Sequence, residues 1–390
     1  MLIKMKLNRR VNNLAPSGIR KFFDLVLGMK EVISLGVGEP DFVTPWKIRE
    51  KAIFALEEGY TSYTSNKGLL SLRRALSRFL KRKYNLVYNP EKEILITAGV
   101  SEGLDLACRV LLEERERAIV SYPAYVAYPA VVSLAGGEIL PLFCSDKDNF
   151  QIDLGQLEKL LVQKPKLIIL NYPNNPTGIS FTRSQLRELW SLLRRSDIYI
   201  VSDEIYDLIS YDFPHTPFAS LRGAKKHTIY LGGFSKNFAM TGFRLGFACG
   251  PEEIISAMTK IHSFTMLCAP IVSQIAASEA LVSETEAHLM VREYRRRRDF
   301  IVKSLNELGL TTPMPQGAFY CFSSIKAARM ESLEFASRLL YQKKVAVVPG
   351  EAFGAEYKNF VRISFASPLE ELKTAISRIK DFLAAANKSR

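Results

Sequence analysis

Between residues 93 and 231 the chain alternates short apolar runs with longer segments of helical period, and few folds accommodate that rhythm. The runs at 94–97, 118–121, 167–170, 198–201 and 228–231 are apolar without alternation, as strands covered on both faces are. Segments 101–112, 125–134, 156–162 and 183–194 carry helix-like spacing. This β-α-β order predicts an α/β fold with a mostly parallel sheet sandwiched by helices. Past residue 271 come long helices, including 284–308, and then a small α+β unit. Its strand candidates are 318–322, 346–348 and 360–364, and a helix at 369–384 closes it. Residues 1–45 are broken by Gly36, Gly38 and Pro40 and are too short to bury a core of their own. The expected division is a large domain at 46–283 and a small one at 284–390, against which the N-terminal segment packs.

At 390 residues, 47% hydrophobic and 24% charged, the chain has the balance of a globular protein with room for two domains. It holds no apolar stretch near the roughly 18 residues a membrane span needs. The basic start MLIKMKLNRR lacks the long apolar core of a secretory signal. Five cysteines without a CxxC pair suit a reducing cytosol, and four scattered histidines form no metal-ligand pattern. The expected setting is the cytoplasm, with neither membrane nor metal. The net charge of +13 is concentrated partly at residues 81–83 and 295–298. Successive helical residues point in different directions, so these runs read as solvated helix faces rather than a nucleic-acid stripe. A positive field would also collect anionic small molecules.

The stretch 232–247, GGFSKNFAMTGFRLGF, sets Lys236 directly after Ser235 and eight residues ahead of Arg244. Lysine forms Schiff bases, and a serine with an arginine can hold a phosphate. Pyridoxal phosphate, an aldehyde on a ring with a phosphate arm, needs both at once. The segment VSDEIY at 201–206 places Asp203 just past an apolar run, at the strand end where open α/β sheets bind ligands. An aspartate there can pair with a protonated pyridine nitrogen, and Tyr206 can donate to the ring's phenolate oxygen. The loop NYPNNPTG at 171–178 forbids helix and offers Asn175 as a second donor to that oxygen. In ITAGVSEG, at 96–103, Gly99 ends a strand and Ser101 opens a helix, whose free N–H groups suit an anion. Val100, Ser101, Ser235 and Arg244 then make a phosphate cradle. Each motif alone is also an ordinary strand-end turn; their order along one chain is what points to the cofactor.

With these motifs in place, the sequence resembles the class I aminotransferases among the fold-type-I pyridoxal-phosphate enzymes, of the aspartate and aromatic kind. The resemblance runs from SGIRKF, at 17–22, to VRISFA, at 361–366. It implies that Lys236 is the Schiff-base lysine and also moves the substrate's α-proton. Arg244 binds the phosphate, Asp203 the pyridine nitrogen, and Asn175 and Tyr206 the phenolate oxygen. By the same resemblance, Tyr125 stacks on the pyridine and Tyr63 reaches the phosphate of a neighbouring subunit, which implies a homodimer with shared active sites. Arg362, in FVRISF, matches the arginine that grips the substrate α-carboxylate, and Gly38 matches a glycine whose backbone approaches the same group. The implied reaction is ping-pong transfer of an amino group between an L-amino acid and a 2-oxo acid such as 2-oxoglutarate. Aspartate is the first choice of donor, with Arg20 as reader of its distal carboxylate. Aromatic and diaminopimelate-type donors stay open, as does a lyase reaction on the same scaffold. A transcription regulator would need a DNA-binding module, and too few residues precede Gly36 for one.

Overall fold

The apolar runs become strands because both of their faces are covered. The computed structural model describes residues 7–14 and 29–388. In chain order its strands are β1 (Ile33–Ser34), β2 (Ile94–Thr97), β3 (Arg117–Tyr122), β4 (Glu138–Phe143), β5 (Leu167–Asn171), β6 (Tyr199–Asp203), β7 (Thr228–Gly233) and β8 (Gly246–Cys249), followed by β9 (Tyr320–Ser324), β10 (Val345–Ala346), β11 (Val348–Pro349) and β12 (Phe360–Ser364). Seven of them build one sheet in the order β2-β8-β7-β6-β5-β3-β4. Within β5 and β6, Ile169 and Val201 face one apolar layer with Leu104, Cys108 and Met258. Ile168, Leu170 and Ile200 face the opposite layer with Leu186, Leu189 and Trp190. The helices Val100–Leu111 and Glu252–Thr265 supply the first cover, and Arg183–Leu193, started by a Thr182–Gln185 capping box, supplies the second.

Two strands of this sheet depart from the expected pattern. β4 lies at the edge and carries Glu138 and Pro141, which interrupt its apolar run; an edge strand tolerates a proline because one side needs no ladder. β8 runs antiparallel to both β7 and β2. After β7 the chain makes only a short 3-10 turn, Thr241–Phe243, so no crossover helix exists to return it parallel. The sheet is therefore mixed but mostly parallel.

The C-terminal part carries an antiparallel sheet, β11-β12-β9, and β10 pairs in parallel with β1. The single strand expected at 346–348 is thus two, on either side of Val347, each in a different sheet. The N-terminal segment joins these strands by backbone bonds: Ile33 N donates to Lys344 O at 2.9 Å and Ser364 N to Leu35 O at 2.7 Å. Among the described residues no helix is long and apolar enough to cross a membrane.

The basic runs are not plain solvated faces. On the helix Glu284–Glu307, Arg297 is buried against Asp41 and Glu293, and Arg298 against Asp212 and the Pro315 carbonyl. Arg82 and Lys83 both pair with Glu284. Paired guanidinium groups with aliphatic stems bury well, and these hold helix to loop rather than forming an open positive stripe.

Candidate active site

The parallel strands end on one side of the large sheet, and their ends converge. Asn171 ends β5 and pairs in register with Asp203, which ends β6 and pairs with Leu231 of β7. β7 runs on into the loop with Ser235 and Lys236, and β2 ends just before the helix Val100–Leu111. A cavity of about 330 Å³ opens there, lined by Gly38, Val100, Ser101, Tyr125, Asn175, Asp203, Tyr206, Ser235, Lys236, Arg244 and Arg362. The sequence had singled out all of these residues. Of the other two, Tyr63 does not line the cavity and is 82% exposed on the outer surface. Arg20 lies outside the described residues.

Asp203 is fully buried, and burial pushes its carboxyl up to about 6, against hydrogen bonds from the Tyr128 hydroxyl (2.9 Å) and Ile205 N–H (3.2 Å) that favour the anion. Lys236 donates to the Gly38 carbonyl at 2.7 Å. Burial lowers its amine to about 8; Glu39 opposes that fall, while Arg244 and Arg362 add to it. An amine so close to neutrality is a competent nucleophile and base.

Arg362 is the most telling group. It is only 2% exposed, and burial lowers its pKa. Nη1 donates to Asn175 Oδ1 at 2.8 Å and Nη2 to the Gly36 carbonyl at 2.6 Å, while Nε has no partner. Among the described residues, neither Arg362, Arg244 nor Lys236 makes an ion pair, although all three line one cavity. Among the described residues, Asp203 is the only carboxylate in that lining. Three cations against one anion leave a site built for an anionic ligand, and a buried cation without a counter-charge is costly until that ligand arrives.

The cradle beside Arg244 is equally specific. Gly99 has φ of +85°, and a Cβ there would lie 3.0 Å from Arg244 Nη2. Backbone freedom and space thus both call for glycine, which lets the guanidinium close over the first turn of the helix Val100–Leu111. Ser235 is buried next to Lys236, and Tyr125 meets Tyr128 edge to face at 5.6 Å. The donor set, namely an N-terminal helix turn, a serine, an arginine, a near-neutral lysine and a buried aspartate, fits a phosphorylated pyridine aldehyde.

Sequence reasoning missed the apolar lining residues Leu104 and Ile205 and four polar ones: Tyr128, Asn171, Thr241 and Tyr320. Asn171 was legible as the polar end of an apolar strand, and its side chain accepts from Asn175 N–H and donates to the Asp203 carbonyl. Tyr128 and Tyr320 sit in apolar helix and strand patterns, where a tyrosine reads as core.

Comparison with known proteins identifies the family. The family described as aminotransferase class I and II matches residues 30–379. An aspartate aminotransferase of Pyrococcus abyssi is 40% identical over 97% of this chain and 98% of its own length. The aromatic-amino-acid aminotransferase 2 of Thermococcus litoralis is 39% identical over the same shares, 97% and 98%. A solved structure of Pyrococcus protein-A1 covers 96% of this chain and 98% of its own, with 39% identity and a TM-score of 0.94. The chain belongs to the class I and II aminotransferases and is a pyridoxal-phosphate-dependent enzyme of fold type I.

Proposed function

We propose that the protein transfers the amino group of L-aspartate to a 2-oxo acid such as 2-oxoglutarate, with Arg362 gripping the α-carboxylate of either substrate. The observation that supports this grip is the buried, unpaired Arg362 guanidinium with its free Nε, because a carboxylate accepts two parallel N–H bonds from such a fork. Bound in the cavity, pyridoxal phosphate supplies an electron sink for the substrate's α-carbon. Arg244, Ser235, Ser101 and the Val100 N–H hold the phosphate. Asp203 keeps the proton on the pyridine nitrogen, oriented by Tyr128. Asn175 and Tyr206 donate to the ring oxygen, and Tyr125 covers the ring. Lys236 would hold the cofactor through its aldehyde carbon, and its amine, lowered towards neutrality by burial, would take the substrate's α-proton and return it. Gly38 gives the carboxylate room near the backbone.

The aspartate assignment rests on the likeness to the Pyrococcus abyssi enzyme and on Arg20 as the distal reader. An aromatic donor is the second reading, because Tyr125, Tyr128, Tyr206 and Tyr320 line the cavity and the three cations there already have tasks. A panel of amino donors against 2-oxoglutarate separates the two. Aspartate should be the best donor, and Arg20→Ala should lower kcat/KM for aspartate at least about tenfold more than for phenylalanine, the cost of one lost charge contact. Equal losses for both donors would remove the aspartate reading.

We also infer a homodimer in which Tyr63 reaches the partner's phosphate. Tyr63 is 82% and Phe264 87% exposed, with Trp46, Ile53, Phe54 and Leu56 also exposed on the helix Trp46–Glu57. Large apolar side chains left exposed in this way suit contact with a second copy of the chain. Residues 46–283 make the cofactor-binding domain in this reading, and the two chain ends the smaller one. Free cysteines among the described residues suit a cytoplasmic setting.

A further inference from the structure

Tyr320 opens β9, and its side chain is buried where three parts of the site meet. Its hydroxyl lies 3.0 Å from the Tyr206 hydroxyl, and the two rings meet edge to face with centroids 5.8 Å apart. The Arg362 guanidinium carbon sits over the Tyr320 ring, 4.5 Å from its centroid. On the third side, a Cβ at position 38 would come within 2.6 Å of the Tyr320 hydroxyl oxygen. Gly38 is not in the left-handed region, so the need for glycine there is one of space. No other atom comes as near to that Cβ: the next are ring carbons of the same tyrosine, at 3.5 and 3.7 Å.

The pair of hydroxyls has a direction once a ligand is bound. A hydroxyl has a single proton to donate. If Tyr206 gives its proton to the cofactor's ring oxygen, the Tyr320 proton must go to the Tyr206 oxygen. Hydrogen bonds in series polarise one another, so Tyr206 becomes a stronger donor. The same Tyr320 ring supports Arg362 from below by a cation–π contact.

We propose that Tyr320 is a positioning residue that sets the donor strength of Tyr206, braces Arg362, and leaves no room for a side chain at position 38. This inference rests on the placement of Tyr206 beside the ring oxygen in the function proposed above. It links the cofactor's oxygen to the substrate's carboxylate clamp through one buried side chain, which meets Tyr206 on one side and Arg362 on the other.

The test is a spectrophotometric pH titration of the cofactor-loaded protein without substrate, reading the midpoint of its visible absorbance change. A donor to the ring oxygen stabilises negative charge there and lowers that midpoint. Tyr206→Phe should therefore raise it. Tyr320→Phe should raise it in the same direction by less, about half a pH unit for one weakened neutral bond, and should add nothing in the Tyr206→Phe background. In steady-state assays Gly38→Ala should lower kcat/KM at least about tenfold, the size expected from a steric clash in a packed site. Adding Tyr320→Phe should recover most of that loss, since the nearest remaining atom then lies 3.5 Å away. A shifted midpoint in Tyr206→Phe with a wild-type midpoint in Tyr320→Phe would overturn the inference and leave the Tyr206 placement standing. An unmoved midpoint in Tyr206→Phe would overturn both. Additive shifts in the double variant, or no recovery of Gly38→Ala, would also count against it.

Discussion

Lys236→Ala is expected to fold and to bind pyridoxal phosphate, yet to turn over amino acids about four orders of magnitude more slowly. The phosphate cradle, Asp203 and the ring-oxygen donors are untouched by the change, so binding persists. What disappears is the near-neutral amine in the cavity, and positioned proton transfer is worth up to about 10⁴-fold. A second readout follows from the burial of that amine. Folding lowers it from 10.5 to about 8, a depressed folded value for a group that is protonated in the unfolded chain. The fold therefore pays a penalty below pH 8, which fades as the pH rises from 8 towards 10.5 and is gone above it. The gap of about 2.5 pH units corresponds to about 3 kcal/mol. Cofactor-free Lys236→Met should accordingly be more stable than the wild type at pH 7, by an amount that vanishes near pH 10.5, as measured by denaturant titration. Turnover within tenfold of wild type in Lys236→Ala would remove the residue from the chemistry.

Arg362→Met should show the opposite fates of activity and stability in one protein. Every amino-acid substrate carries an α-carboxylate, so the loss in kcat/KM should be similar for aspartate and phenylalanine. Truncating one partner of a buried charge pair costs about 2–5 kcal/mol, or roughly 30- to 5,000-fold. Arg362→Lys should recover little, because an ammonium cannot form the bidentate pair. Without substrate, however, Arg362 is a buried cation with no anionic partner and an unsatisfied Nε. Replacing such a group with an apolar one of similar length should leave the thermal midpoint of the ligand-free protein unchanged or higher. A large loss of stability together with normal kcat/KM would mean that Arg362 is a structural ion and not a clamp.

The parts of the fold that were legible in the sequence are those in which one local rule dominates. The strands β2 and β12 have the bounds expected of them, 94–97 and 360–364, β2 because a strand covered on both faces is an apolar run, and β12 because apolar residues flank its single arginine. β4 escaped because its edge position excuses Glu138 and Pro141, and β8 because GFAC is too short to carry a period. The same logic separates the residues of the cavity. Asp203 and Lys236 stand out as charged groups shortly past apolar runs, and their order along one chain with the other motifs singles them out. Tyr128 and Tyr320 do not, because their partners lie far away in sequence: the Tyr128 hydroxyl meets Asp203 across 75 residues, and Tyr320 meets Tyr206 across 114. Arg297 and Arg298 looked solvated for the same reason, since Asp41 and Asp212 are distant along the chain and near only after folding.

Reduction with borohydride tests most directly whether Lys236 is the residue that carries the cofactor. The cofactor-loaded protein, reduced, digested and mapped by mass spectrometry, should carry the phosphopyridoxyl group on the peptide containing Lys236 and on no other. The visible band should be lost as the label appears. A label on any other lysine, with Lys236 unmodified, would contradict the account.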